Sequence, residues 1–242
     1  MSRVIAIVQA RVGSTRLPGK VLRALNGEPA IIHVMRRAAV CPLLSVVHLA
    51  TSTSPENDPL ERLAKEHDWP CYRGSEQDVL SRFVDIVRSD RPDVVVRGSG
   101  DNTAVDPEVI RLTIEKLQRE RLDVCSPFLD DYTYPFGAGA EVSTADCLLR
   151  LDADTRDADP SYREHIHFYA YDHRDRYRVS GLDAPPGLSR PDIRISVDTL
   201  KEFEVMEAIY RRLAHRKSLF SLAELIHVWD ELRAEAIKGG EK

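Results

Sequence analysis

Apolar and polar positions along the chain fall into two alternating patterns. Arg3-Val-Ile-Ala-Ile-Val-Gln9 is a short, β-branched and nearly continuous apolar run, the composition of a strand buried on both faces of a parallel sheet. Ser45-Val-Val-His-Leu-Ala-Thr51 and Asp93-Val-Val-Val-Arg97 repeat it, and Leu122-Asp-Val-Cys125 does so more weakly. Between these runs the spacing predicts helices over Pro29–Ala39, Pro59–His67, Glu76–Arg88 and Asp106–Glu120. The last opens on Asp106-Pro107-Glu108: a capping acid, a proline whose missing N–H costs nothing in the first turn, and a second acid favoured by the helix dipole. Alternation of strand and helix is the mark of βαβ units and a mostly parallel α/β sheet.

The pattern loosens after Cys125. Residues 126–160 carry Pro127, Tyr132, Tyr134, Pro135, Gly137 and Gly139 and read as a loop-rich insertion. A helix over Pro160–Asp172 follows, then strands at Tyr177–Ser180 and Asp192–Val197. Two helices close the chain. Leu200, Phe203, Met206, Ile209, Tyr210 and Leu213 share a face of the first, and the second covers Ser221–Glu235. A single α/β domain over residues 1–242 is the economical arrangement.

Charge and composition narrow the function classes. Lys and Arg number 34 against 39 Asp and Glu, a net of −5, which argues against a general nucleic-acid binder. A local cationic cluster for a small anion remains open. No apolar run approaches the roughly 20 residues that span a bilayer, and Met1–Val8 leads straight into Gln9 and Arg11 without a signal-peptide core. Cys41, Cys71, Cys125 and Cys147 are scattered and form no CxxC. Together these predict a cytoplasmic protein with reduced thiols, no zinc site, no membrane and no nucleic acid. Asp172-His-Arg-Asp-Arg-Tyr-Arg178 alternates in sign and reads as a solvated connection.

The strongest chemical signal follows the first strand: Gln9-Ala-Arg11-Val-Gly13-Ser14-Thr15-Arg16-Leu-Pro18-Gly19-Lys20. It is not a P-loop, because five residues separate Gly13 from Gly19 and Val21 stands where Ser or Thr would hold magnesium. The dinucleotide fingerprint GxGxxG is also absent. What remains is a glycine-containing loop with three cations beyond the carboxyl end of a buried strand, where open α/β sheets bind ligands. Glycines admit an anion close to backbone N–H groups, and Arg11, Arg16 and Lys20 together suit a polyphosphate. The competing reading is an ordinary exposed loop.

The string Ala10-Arg11-x-Gly13-Ser14-x-Arg16-Leu-Pro18-Gly19-Lys20 resembles the opening motif of the cytidylyltransferases that make CMP-activated sugars. The resemblance is closest to the branch named for spore-coat polysaccharide biosynthesis, with the acylneuraminate and ketodeoxyoctonate enzymes as wider relatives. It continues in Tyr72-Arg73-Gly74-Ser75-Glu76-x-Asp78-Val79-Leu80-x-Arg82, Val96-Arg97-x-x-x-Asp101-Asn102 with Asp106-Pro107, and Tyr134-Pro135-x-Gly137 with Glu141-Val142. Arg163-Glu164-His165, Ser189-Arg190-Pro191-Asp192-Ile-Arg194 and Val197-Asp198-Thr199 complete it. One departure is Asp101-Asn102-Thr103-Ala104, where many relatives place a proline after the acid.

The resemblance implies a Rossmann-like nucleotide-diphospho-sugar transferase fold, a mixed, mostly parallel sheet flanked by helices, in a homodimer. It implies transfer of CMP from CTP to a sugar or sugar-acid acceptor with release of pyrophosphate, a step in glycan precursor synthesis. By carry-over Ala10, Arg11, Gly13, Ser14, Arg16 and Lys20 bind the nucleotide, with Arg11, Lys20 and Asp101 catalytic. Asp101 and Asp198 would hold Mg2+, against the alternatives of a turn aspartate and a helix cap. Arg73, Ser75 and Arg82 lie where the base is read, although Ser75 serves equally as an N-cap. Glu141, Arg163, Glu164 and His165 fall at the acceptor pocket, and the 126–160 segment at the acceptor site and dimer contacts. His165 and His167 cannot share a metal on one helix, because residues two apart point in nearly opposite directions. A glycosyltransferase of the same fold is the alternative, but the Asp-x-Asp pair such enzymes use is missing here.

Overall fold

The computed structural model describes residues 2–213 and 219–240. Strand β1 (Val4–Gln9) lies at the centre of a seven-stranded sheet. Its side chains alternate between two cores, as a doubly covered strand requires. Val4, Ala6 and Val8 enter one cluster, while Ile5 and Ile7 enter the other. A two-residue pair, β2 (Ala24–Leu25) and β3 (Glu28–Pro29), forms a separate antiparallel ribbon leading into α1 (Ala30–Ala39).

Three βα steps follow. They are β4 (Val46–Ser52) with α2 (Asp58–Glu66), β5 (Cys71–Gly74) with α3 (Val79–Asp90), and β6 (Val94–Ser99) with α4 (Pro107–Glu120). Then come β7 (Val124–Ser126), β8 (Glu141–Thr144), α5 (Ala145–Asp154), α6 (Ser161–Glu164), α7 (Phe168–Asp172) and β9 (Val179–Gly181). Helices α8 (Leu200–Leu213) and α9 (Leu222–Gly240) complete the described chain. Strand order is β5-β4-β1-β6-β8-β7-β9. Only β8 is antiparallel to its neighbours β6 and β7, so its amino end lies beside the carboxyl end of β6, with Glu141 opposite Arg97.

The helices cover both faces. Ile31, Leu60 and Ile110 from α1, α2 and α4 pack on one, and Phe83, Leu148 and Ala170 from α3, α5 and α7 on the other. A third cluster joins α8 and α9 to residues 193–197. Burying each such side chain contributes about 1.5–3 kcal/mol. Asp106 caps α4 through one carboxylate oxygen, to Glu108 N at 2.8 Å, and with the other accepts from Leu222 N at 2.7 Å. Arg37, 2% exposed, reaches the same junction by donating to Val105 O and Phe220 O.

Several sequence expectations change here. The 126–160 stretch contains β8 and α5, so it builds the sheet instead of standing outside it. The helix expected over 160–172 is broken at His165, whose φ of −102° and ψ of 75° leave the helical region. The strand expected over 192–197 is an extended segment bridged only to Phe136. Helix α3 starts at Val79, and its cap is Asp78, which accepts from Ser81 N. Ser75 Oγ instead accepts from Asp78 N, in the turn before. On α8 the apolar face is as expected except for Leu200, which is exposed.

Candidate active site

A cavity of about 350 Å³ opens beyond the carboxyl ends of β1 and β6. The loop after β1 forms one wall. Asn57, itself buried, accepts from Val12 N at 2.8 Å and donates to Ser52 Oγ, so a side chain from beyond β4 fixes the start of the loop. At its other end Gly19 adopts φ +68°, a left-handed conformation that glycine takes without Cβ strain. That turn sends Lys20 back towards the sheet.

Lys20 Nζ lies 2.6 Å from Asp101 Oδ2 and 2.8 Å from Asp198 Oδ1. Asp101 also accepts from Ser99 Oγ. Asp198 meets Arg16 at 2.8 Å, and Arg194, which lies over the Phe136 ring. Burial alone would raise the Asp198 carboxyl, but Lys20, Arg194 and Arg16 outweigh it and hold it below its ordinary value. Asp198 is not the cap of α8. Thr199 and Glu202 cap that helix reciprocally, with Thr199 Oγ1 accepting from Glu202 N and Glu202 Oε2 accepting from Thr199 N. The Asp198 carboxylate therefore faces the cavity.

Two hard carboxylates on a common point fit a divalent cation in kind. Among the described residues no group of three or more His, Cys, Asp and Glu is gathered for a metal. A magnesium ion held by the pair would complete its shell with water and substrate oxygens, its usual habit.

Ala10, Arg11, Ser14, Arg82, Glu164 and His165 line the same cavity. Arg11 is 3.6 Å from Glu164. The break after α6 places His165 at the cavity, while the next histidine, His167, is buried against Ser143 Oγ of β8 at 3.1 Å.

Other residues singled out in the sequence lie elsewhere. Arg73 ties β5 to α2 through Asp58 and Glu61 and donates to Ser52 O and Ser54 O. Arg163 joins Asp78 at 2.8 Å to Asp152 at 2.9 Å and reaches Thr155, so it clamps α3 to α5. Gly13 lies under Glu56, where a Cβ would meet Oε1 at 2.6 Å. Ser75 holds its turn. None of these four, nor Glu141, lines the cavity.

Glu141 stands behind it. Its carboxylate receives Arg97 NH1 at 2.5 Å and the Tyr171 hydroxyl, with His167 Nδ1 at 3.5 Å. Burial opposes its ionisation, but Arg97, His167 and Tyr171 outweigh it and hold Glu141 well below the usual carboxylate range. Arg97, which also donates to Gln9 Oε1 at 3.2 Å, is the group that lines the cavity. Gln9, Arg97 and Ser99 had no role assigned from the sequence. Their signal was a charged or polar residue at the carboxyl end of a buried strand.

The chain matches the cytidylyltransferase family over residues 5–231. It is 35% identical over 234 residues to the spore coat polysaccharide biosynthesis protein SpsF of Bacillus subtilis (strain 168), covering 93% of each chain. Among solved structures, a cytidylyltransferase from Leptospira borgpetersenii serovar Hardjo-bovis superposes with a TM-score of 0.88 at 24% identity, over 97% of this chain and 96% of that one. A CMP:2-keto-3-deoxy-manno-octonic acid synthetase complexed with CTP superposes at 0.66 and 19% identity, over 87% and 99%. At these identities the two structures speak for the fold, the nucleotide-diphospho-sugar transferase arrangement.

Proposed function

Because this chain belongs to the cytidylyltransferase family, we propose that it transfers CMP from CTP to a sugar-acid acceptor, with Mg2+ as cofactor. The observation that carries the reading is Lys20 shared between Asp101 and Asp198 at the mouth of a cavity that Arg11 and Arg16 also line. Arg11, Arg16, Lys20 and Arg97 all line it, a concentration of donors suited to a polyphosphate.

In this reading Arg11, Arg16 and Lys20 bind and neutralise the triphosphate, as phosphoryl-type transfer requires. Asp101 and Asp198 would hold the cation, which when bound would supply Lewis-acid polarisation of the α-phosphate. An acceptor hydroxyl oxygen bonds to the α-phosphorus and releases its proton to solvent, the bond from that phosphorus to the bridging oxygen breaks, and pyrophosphate leaves. Glu164 and His165 stand on the acceptor side. Arg97, locked by Glu141, fixes the floor between β1 and β6.

The test needs no knowledge of the acceptor. Thermal midpoints are recorded with CTP, UTP, ATP or GTP and magnesium. Ligand at 100 times its dissociation constant adds about 2.7 kcal/mol, which for a chain of this size is roughly 5–10 °C. A shift confined to CTP supports the reading. A larger shift with UTP or ATP defeats the cytidylyl assignment.

A further inference from the structure

Arg82 is a buried cation that no carboxylate among the described residues contacts. The residue is 3% exposed and lines the cavity. Its Nε is buried with no hydrogen-bond partner, and among the described residues its guanidinium forms no ion pair. Neighbouring arginines behave differently. Arg163 is held by Asp78 and Asp152, Arg97 by Glu141, and the equally buried Arg37 by two carbonyls and the Phe220 ring.

The space for Arg82 is built. A Cβ on Gly74 would lie 2.9 Å from Arg82 Cγ and 2.8 Å from the Tyr72 ring, so glycine at the end of β5 makes room for the arginine stem. Burial and the nearby Arg11 press the guanidinium away from its charged form by more than Glu76 and Asp78, neither of them in contact with it, favour that form, yet an arginine keeps its proton in proteins. A desolvated, unpaired charge is strongly unfavourable unless something supplies the opposite charge.

The chemistry of the missing partner follows. A neutral base could accept its hydrogen bonds but would leave the charge uncompensated. Of the cations suited to a triphosphate, Arg16 and Lys20 belong to the Asp101–Asp198 cluster and Arg11 is paired with Glu164, and no hydrogen bond or ion pair among the described residues joins Arg82 to any of them. We propose that Arg82 is the receptor for an oxyanion, carboxylate or phosphate, carried by the second substrate. This rests on the reading of the cavity as a CTP site and assigns the acceptor's acid group to Arg82. A guanidinium suits either group by donating two parallel hydrogen bonds.

The full chain, Arg82→Met and Arg82→Lys are melted in chloride buffer alone, with CTP and magnesium, and with acetate or inorganic phosphate added to each. Without added oxyanion, Arg82→Met melts a few degrees above the native chain, because an uncompensated buried charge is gone. A lower midpoint would show a structural tie and overturn the proposal. With CTP and magnesium occupying Arg11, Arg16 and Lys20, acetate or phosphate raises the native midpoint saturably, leaves Arg82→Met unmoved and raises Arg82→Lys less; the anion that acts identifies the group. No response of the native chain to either anion overturns the proposal. The CTP shift survives in Arg82→Met, and its loss would assign Arg82 to the nucleotide instead. If CTP fails to shift the native chain, the CTP reading falls, and the anion responses of the free protein still decide on Arg82.

Discussion

Lys20 and Asp198 stand 178 residues apart in sequence and 2.8 Å apart in space. The same ammonium reaches Asp101 from the next strand. It occupies the point on which the two carboxylates converge, where a divalent cation would be bound.

That coincidence sets an order of events. Mn2+ should bind the free native chain weakly, because it competes with Lys20, and bind at least tenfold more tightly once CTP draws the lysine to its phosphates. Lys20→Met should bind Mn2+ without nucleotide more tightly than the native chain, while losing most of the CTP-induced melting shift. Paramagnetic titration of free Mn2+ reads both; equal affinity in the two free proteins would refute the competition.

Asp101→Asn and Asp198→Asn should lower pyrophosphate release by at least about 100-fold, the scale of losing one preorganised electrostatic group. The midpoint of Asp101→Asn should stay near the native one, and that of Asp198→Asn should fall, because its carboxylate holds Lys20, Arg16 and Arg194. Turnover at the native rate in a folded Asp101→Asn protein would remove that residue from the mechanism.

Arg163→Ala should act on stability. The side chain bridges α3 and α5 through Asp78 and Asp152, and losing charge-assisted hydrogen bonds of this kind costs about 1.5–3 kcal/mol. A urea midpoint well below the native value, with CTP affinity kept, is the expected result.

Glu141→Ala should cost more, about 3–5 kcal/mol, since it strands Arg97 as an unpaired charge in a largely buried place. Glu141→Gln should cost less and still loosen Arg97, weakening ligand binding. Urea unfolding measured alongside CTP binding separates the two effects.

Two histidines give the stability curve a slope near neutrality. Burial pushes His33 and His48 below their ordinary value of 6.5, more than the Leu25 carbonyl or Asp90 raises them. The unfolded chain therefore binds more protons than the folded one just below that value. Stability should be full above about pH 6.5 and fall as the pH drops from there towards the folded values. Asp198 and Glu141, both depressed, contribute stability present above about pH 4 that is lost as the pH falls through their folded values. His48→Gln should flatten the upper segment of the urea-midpoint profile between pH 5 and 7.

Much of this was legible before any coordinate was known, because it is local. The unbroken apolar run from Val4 to Val8 marks a strand covered on both faces, and the cationic loop announces itself by composition. Direction was not legible. Nothing in Glu141-Val-Ser-Thr144 says that this strand runs against its neighbours, so Glu141 read as a cavity residue when it is the support behind Arg97. Arg163 was drawn towards the cavity by its neighbours Glu164 and His165. The chain turns at His165, and that turn separates a clamp from a lining residue. Arg97 passed without a role because three valines before it suggested only a core strand.

The two-oxygen use of Asp106 ties the ends of the fold together. One oxygen holds the start of α4, which packs on the sheet; the other holds the start of α9, which contacts no strand of it extensively. Fraying of the last helix therefore disturbs the acid that also anchors an inner one. Amide hydrogens at the starts of α4 and α9 should exchange with solvent in a single opening event, and a protease that catches one helix loose will have found both.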